Sequence, residues 1–326
     1  MIPSWRTVLD RYSASARPIS EPLALGNAGG FSGASLWRFR SGLGLLGLKA
    51  WAIGGPDLES LRQIHRWLAA AQDLGFLPIP IPTMDGSTIV EADGRRWDLS
   101  PWLPGEAAHS RPPKPVQVRA MFGGLAAFHL RLASERTEGK SPGLAARFSE
   151  TTRLLTSEFD QIDRAIARAS DDPRATLARD WLDRARPIAP RLLGPLRTAS
   201  SRVVPLQPCL RDARPDHFLF DNDRLTGLVD FGAMGRETVA GDLARLMAEA
   251  LGSDRPARAV ALEAYEAIRP MDVLERSLID PFGRANALLG ASRWIRWHFL
   301  ENRDFDDPEA VEKGLRRGLE RLDEVG

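Results

Sequence analysis

Among the side chains able to handle protons or metal in one short stretch, PCLRDARPDHFLFDNDRLTGLVDFGAMG, three stand out by their spacing. They are Asp212, then His217 five residues on, then Asp230 in the tripeptide Asp230-Phe231-Gly232. The apolar runs FLF and LTGLV flank the turn-forming Asp221-Asn222-Asp223, which predicts a β-hairpin with Asp212 in the loop before it and Asp230 at its far end. Two carboxylates delivered by adjacent tight turns suit phosphoryl transfer. One orients or deprotonates an acceptor hydroxyl, and the other holds magnesium against phosphates. Asp-Phe-Gly alone is a common tripeptide. Its place directly after an apolar strand, with Asp212 upstream and Gly241-Asp242-Leu243-Ala244 downstream, makes it informative.

A second group lies near the N-terminus. The cluster Gly26-Asn27-Ala28-Gly29-Gly30-Phe31-Ser32-Gly33 fits neither the Walker spacing nor a dinucleotide fingerprint. Leu36 to Arg40 alternate as a strand would, so the glycines belong to a strand-to-strand turn. Bare backbone amides around Gly29, Gly30 and Ser32 can cover phosphates there, although a plain hairpin loop has the same composition. Lysine occurs only at Lys49, Lys114, Lys140 and Lys313. Lys49 ends the next apolar strand, either as a phosphate-neutralising ammonium or as a surface residue at a sheet edge. Glu59, on the helix that follows, is expected to hold Lys49 by an ion pair, with Asp57 as its competitor.

The elements that must position these residues fall into two halves. From about Leu23 to Trp102 the pattern favours strands: ASLWRFR alternates, LGLLGLKAWAI is apolar, and Asp93-Gly94 marks a hairpin turn. One helix interrupts them, with Leu58, Leu61, Ile64 or His65, and Leu68 at helical steps, Pro56 near its start and Gly75 near its end. After Trp102, LPGE and RPPKP lead into mostly helical sequence. Leu155, Phe159, Ile162 and Ile166 carry one helical period, and Leu177, Trp181 and Ala185 the next, with Pro173 and Pro187 expected as breaks. Residues 1–102 are therefore expected to form a strand-rich N-terminal lobe and residues 103–326 a helical C-terminal lobe.

Composition removes several function classes. Across 326 residues, 44 basic and 43 acidic side chains leave a formal charge of +1, so no global field favours nucleic acid or an anionic membrane. No apolar stretch approaches the roughly 18 residues of a membrane span, and MIPSWRTVLDRYS carries charges too early for a signal peptide, so a cytoplasmic location is expected. The single cysteine, Cys209, excludes an internal disulfide framework and reads as a small core residue. The five histidines are scattered without metal-ligand spacing. Trp294 and Trp297, one helical turn apart, read as helix packing or as the wall of an acceptor pocket.

Taken together these motifs resemble the aminoglycoside phosphotransferase and choline kinase family, whose fold is similar to that of protein kinases. The resemblance covers nearly the whole chain. The family's catalytic loop reads His-Gly-Asp, four residues, Asn, followed later by a strand-end Asp-Phe-Gly. Laid over Leu210-Arg211-Asp212 and His217, it implies that Asp212 is the catalytic carboxylate and Asp230 the principal magnesium ligand. It also implies a bilobal α+β fold, an antiparallel-sheet N-lobe that binds ATP and Mg2+, and a helical C-lobe that takes a small-molecule hydroxyl substrate such as an aminoglycoside, a choline-like alcohol or a sugar. Asp242 matches a downstream supporting position, and His129 a structural one. The loop departs from the pattern, with Leu210-Arg211 in place of His-Gly and His217 in place of Asn. A hard cation prefers oxygen, so His217 either binds a softer ion such as Mn2+, hydrogen-bonds Asp212, or leaves a second metal site empty. The rival expectation is an inactive nucleotide-binding pseudokinase with a regulatory or scaffolding role. Neither nucleic acid nor membrane is an expected partner, and the oligomeric state is not legible.

Overall fold

The computed structural model describes residues 5–26, 33–108, 113–303, 305, 307 and 309–323. The chain divides into two compact units, one of Met1–Ser134, Pro215–Gly235 and Ala267–Arg269, the other of Glu135–Arg214, Arg236–Glu266 and Pro270–Gly326.

The first unit is built on a five-stranded antiparallel sheet: β1 (Leu23–Gly26), β2 (Ser35–Ser41), β3 (Gly44–Ala50), β4 (Val90–Ala92) and β5 (Arg95–Pro101), in the order β1-β2-β3-β5-β4. Phe39, Leu46, Leu48, Trp97 and Leu99 bury one face against Val8, Leu9 and Tyr12 from the N-terminal segment. Helix α1 (Leu58–Ala70) follows β3. Asp57 caps it by accepting from the Ser60 amide, and Leu61, Ile64, His65, Trp67 and Leu68 are its buried stripe. The helix stops before a single tight turn that ends at Gly75, whose φ of +72° suits glycine.

The expected lobe boundary at Trp102 falls inside this unit. Glu106 and Ala107 pair with Phe220 and Leu219 of the hairpin Phe218–Asp221/Arg224–Leu228, and the Leu228 amide donates to the Phe76 carbonyl. Gly105, at φ +99°, makes that approach possible, because a Cβ there would lie 2.7 Å from the Phe220 carbonyl oxygen. Helix α2 (Pro115–Arg131) packs on the hairpin where Gly124 meets the Leu225 side chain. His129 is fully buried in this helix.

The second unit joins a small sheet, Thr137–Lys140, Val203–Cys209 and Gly235–Glu237, to helices α3 (Pro142–Arg153), α4 (Val239–Leu251), α5 (Ile279–Ile295) and α6 (Ala310–Leu322), and to the long helix Ala175–Ser201. Trp181, Leu182, Phe282, Leu288 and Leu315 lie at its centre. One expectation is corrected here: Pro187 does not break the chain, and the helix runs through Pro187, Pro190 and Pro195. An internal proline costs an isolated helix about 3 kcal/mol. Here Trp181, Leu182, Ala185, Ile188, Ala189, Leu192 and Leu196 form a buried stripe on both sides of the prolines, and that burial offsets the cost. Among the described residues, no helix is long and apolar enough to cross a membrane.

Candidate active site

In the first unit, strand register fixes Lys49. It pairs with Leu36 on β2 and with Asp98 on β5, and its Nζ lies 3.7 Å above the centre of the Trp51 ring. The same Nζ is 3.9 Å from Asp230 Oδ1. On its other side, Asp230 Oδ2 lies 3.6 Å from His217 Nε2. Lys49, His217 and Asp230 are thus brought together from β3 and from the two ends of the hairpin.

The hairpin explains the Asp-Phe-Gly segment residue by residue. The Val229 amide donates to the His217 carbonyl and closes the strand pair just before Asp230. Asp230 then adopts φ +64°, a left-handed conformation uncommon for a side-chain-bearing residue, which turns its carboxylate out of the strand. Phe231 is buried against Phe128 at 5.8 Å and anchors the turn. A Cβ on Gly232 would come within 2.9 Å of the Trp51 ring, so only glycine lets the backbone pass.

The site residues suit a divalent cation. Asp230 supplies anionic oxygen, and His217 Nε2 is too far for a good hydrogen bond yet near enough to share an ion with Oδ2. His217 is buried, and its Nδ1 has no hydrogen-bond partner among the described residues. The mixed oxygen and nitrogen donors fit Mn2+ at least as well as Mg2+.

Glu59 lies elsewhere: it is exposed in the first turn of α1 and makes no ion pair with Lys49. Its neighbour Asp57 is committed to the helix cap. Trp51 and Asp98 are the residues that the sequence reading did not identify. Trp51 Nε1 donates to Asp98 Oδ2 at 2.5 Å, His65 Nε2 stands 3.6 Å from the same oxygen, and His65 Nδ1 is 2.8 Å from Thr88 Oγ1. This buried chain fixes the ring on which Lys49 rests. The available signal was the two-residue spacing of Lys49 and Trp51, which puts both on one face at the strand end. Gly29, Gly30 and Ser32 lie outside the described residues. The flanking Gly26 and Gly33 have φ of +62° and +67°.

In the second unit, Asp212 follows two residues whose backbone is clamped. The Leu210 and Arg211 amides donate to the two oxygens of Asp242, each at 2.7 Å, and Asp242 is fully buried in the first turn of α4. This clamp holds Arg211 at φ +63° and presents Asp212 at the surface of the unit. Arg245, one turn along α4, places Nη2 3.1 Å from Asp212 Oδ1. Glu249 lies 3.7 Å from Arg245, and it also takes Arg321 at 2.7 Å and Arg317 at 3.9 Å. Burial raises the Glu249 pKa, but Arg321, Arg245 and Arg317 together outweigh it and hold the carboxyl below its ordinary value. Cys209 is buried with its thiol donating to the Glu237 carbonyl, and the Trp294 and Trp297 rings meet edge-on at 5.3 Å.

Known proteins give the fold and the family. The chain is 24% identical over 216 residues to a homoserine kinase of Brucella anthropi, and the match covers 65% of this chain and spans about 60% of that relative's length. The fold is that of an aminoglycoside phosphotransferase from Alicyclobacillus acidocaldarius, at a TM-score of 0.69 and 18% identity, covering 100% of this chain and 93% of that one. An amicoumacin kinase solved with AMP-PNP and Ca2+ has a TM-score of 0.65 at 11% identity, with 97% of this chain and 93% of that one covered. The architecture is therefore the α+β protein-kinase-like fold, an antiparallel N-terminal sheet followed by a largely helical remainder. The model of the phosphotransferase enzyme family matches residues 30–275, a span that takes in Lys49, Asp212, His217, Asp230 and Asp242, and the chain belongs to that family.

Proposed function

We propose that the protein is an ATP-dependent phosphotransferase that moves the γ-phosphate to a hydroxyl group of a small molecule. The observation that carries this reading is the placement of Lys49 and His217 on opposite sides of the Asp230 carboxylate. Lys49 neutralises nucleotide phosphates, with Trp51 and Asp98 fixing its direction, and Asp230 with His217 holds Mg2+ or Mn2+. When bound, the metal offsets charge on the β- and γ-phosphates. Asp212 orients the acceptor hydroxyl and takes its proton. The new bond forms between that oxygen and the γ-phosphorus, the bond from γ-phosphorus to the β,γ-bridging oxygen breaks, and ADP leaves with the electron pair.

The names of the relatives support a small hydroxyl compound as acceptor, with homoserine among the first to assay. Calorimetric titration with ATP tests the nucleotide half. Binding is expected to require Mg2+ or Mn2+ and to weaken about tenfold or more in Asp230→Asn and Lys49→Met. Metal-independent binding that neither substitution changes would refute the assignment. Metal-dependent binding with no transfer to any hydroxyl compound would favour the pseudokinase instead.

A further inference from the structure

The second unit gathers hydrogen-bond donors that lack acceptors. Arg147, on α3, donates from Nε to Asn286 Oδ1 at 2.8 Å and from Nη1 to the Gly143 carbonyl at 2.9 Å, with its guanidinium over the Phe282 ring. Among the described residues it forms no ion pair, and its Nη2 makes no hydrogen bond to any of them. Glu237 acts on it electrostatically but is already committed, accepting from Ser141 Oγ and from the Gly143 and Thr238 amides. Burial first, and then the positive charges of Arg245 and Arg293, hold the Arg147 pKa down to about 10 against the pull of Glu237 and Glu150.

Among the described residues, two buried donors stand without acceptors beside Arg147. Asn286 Nδ2 is buried without a partner, because its oxygen is turned to Arg147, and Arg245 Nε is buried without one as well. A buried donor left unpaired costs about 1–3 kcal/mol, so these two, beside a guanidinium that has no ion pair among the described residues, point to an acceptor that arrives from outside. Arg245 also contacts Asp212, which ties the group to the carboxylate assigned to the acceptor. Beyond it, the same helix α4 lines a cavity of about 600 Å3 whose wall carries Arg258, Arg276, Arg284 and Arg321.

We infer that Arg147, Asn286 and Arg245 form an anion subsite for the acceptor, and that the acceptor is a short hydroxy-carboxylate whose carboxylate takes these donors while its hydroxyl meets Asp212. This rests on the proposed function, since it presumes that Asp212 receives the hydroxyl proton as phosphorus moves from the leaving ADP to the acceptor oxygen. A singly charged, planar carboxylate matches the open edge of a guanidinium. A dianion would be opposed by Asp212, Glu237 and Glu150, and a polycation by the arginines.

The test compares L-homoserine, which carries the carboxylate, with 3-aminopropan-1-ol, which lacks it, and with a cationic aminoglycoside, using the full chain with ATP and Mg2+ or Mn2+. The wild type is expected to favour homoserine in kcat/KM by about 100-fold or more, because a site built for a polar group rejects analogues without it. Arg147→Gln is expected to shrink that ratio below about tenfold, chiefly through the KM for homoserine, and Arg147→Lys to restore part of it. Homoserine binding to the ADP complex, measured by calorimetry without turnover, should weaken about tenfold or more in Arg147→Gln. If that variant loses its fold, Asn286→Ala keeps the guanidinium and supplies the same readout. Equal or better use of either carboxylate-free alcohol, an unchanged ratio in the variants, or no homoserine binding by a wild type that binds ATP would overturn the inference. A wild type that fails to bind ATP with metal would instead overturn the phosphotransferase reading itself.

Discussion

Lys49 illustrates how a single side chain acquires its role from what surrounds it. A lysine at the end of an apolar strand has two ordinary fates, and the Trp51 ring beneath it and Asp230 beside it decide between them. Removing the ring should therefore matter more than removing the helix carboxylate first expected to hold it. Trp51→Leu is predicted to raise the KM for ATP by about five- to tenfold through the lost cation–π contact, whereas Glu59→Gln should change it less than about twofold. Steady-state kinetics on both variants checks this, and the reverse order would return Glu59 to the site. His217 invites a similar comparison. If its Nε2 shares a cation with Asp230, His217→Asn should move the ratio of Mg2+- to Mn2+-supported activity towards Mg2+ by about tenfold, and an unchanged ratio would remove His217 from the metal. These residues were legible in the sequence because hairpin and motif are local. Trp51, Asp98 and Arg245 were not, because their roles depend on strand register and on a helix face brought to a distant loop.

At the scale of elements, short connections are fixed by buried polar groups. Asp242 spends both oxygens on the Leu210 and Arg211 amides, so the loop before Asp212 is set by the first turn of α4. Asp242→Ala leaves two amides without acceptors and is predicted to cost about 2–4 kcal/mol of stability. Urea unfolding measures the loss, and a loss under about 0.5 kcal/mol would show that the clamp is not what holds the loop. The sheet, the helix that follows β3 and the hairpin could be read from periodicity and turn residues. The long helix Ala175–Ser201 could not, because three prolines speak locally against it while its buried stripe speaks for it only once the unit is packed. The joining of the 106–107 strand to the hairpin was hidden for a related reason: it depends on Gly105 allowing two distant backbones to meet.

Over the whole molecule, near-neutral charge conceals strong local organisation. The formal charge of +1 excludes a global field but says nothing of three arginines gathered on Glu249 or of Arg147, which forms no ion pair among the described residues. Glu249 titrates below its unfolded value of 4.5, so its stabilisation is present above that pH and is lost as pH falls through the lower, folded value. Glu249→Gln is predicted to cost about 3 kcal/mol at neutral pH by removing the buried carboxylate that Arg321, Arg245 and Arg317 share. The gap between wild type and variant should close in acid, as read by denaturant unfolding across a pH series, and a gap that persists unchanged would assign the effect to packing alone.

We assign Asp212 to phosphoryl transfer and not to nucleotide binding. Asp212→Asn, assayed beside the wild type for ATP affinity by calorimetry and for transfer to homoserine and other small alcohols by phosphorus NMR, tests that assignment most directly. ATP affinity is expected to stay within about twofold of wild type and turnover to fall by about 10²–10⁴-fold. Turnover equal to that of the wild type would contradict it.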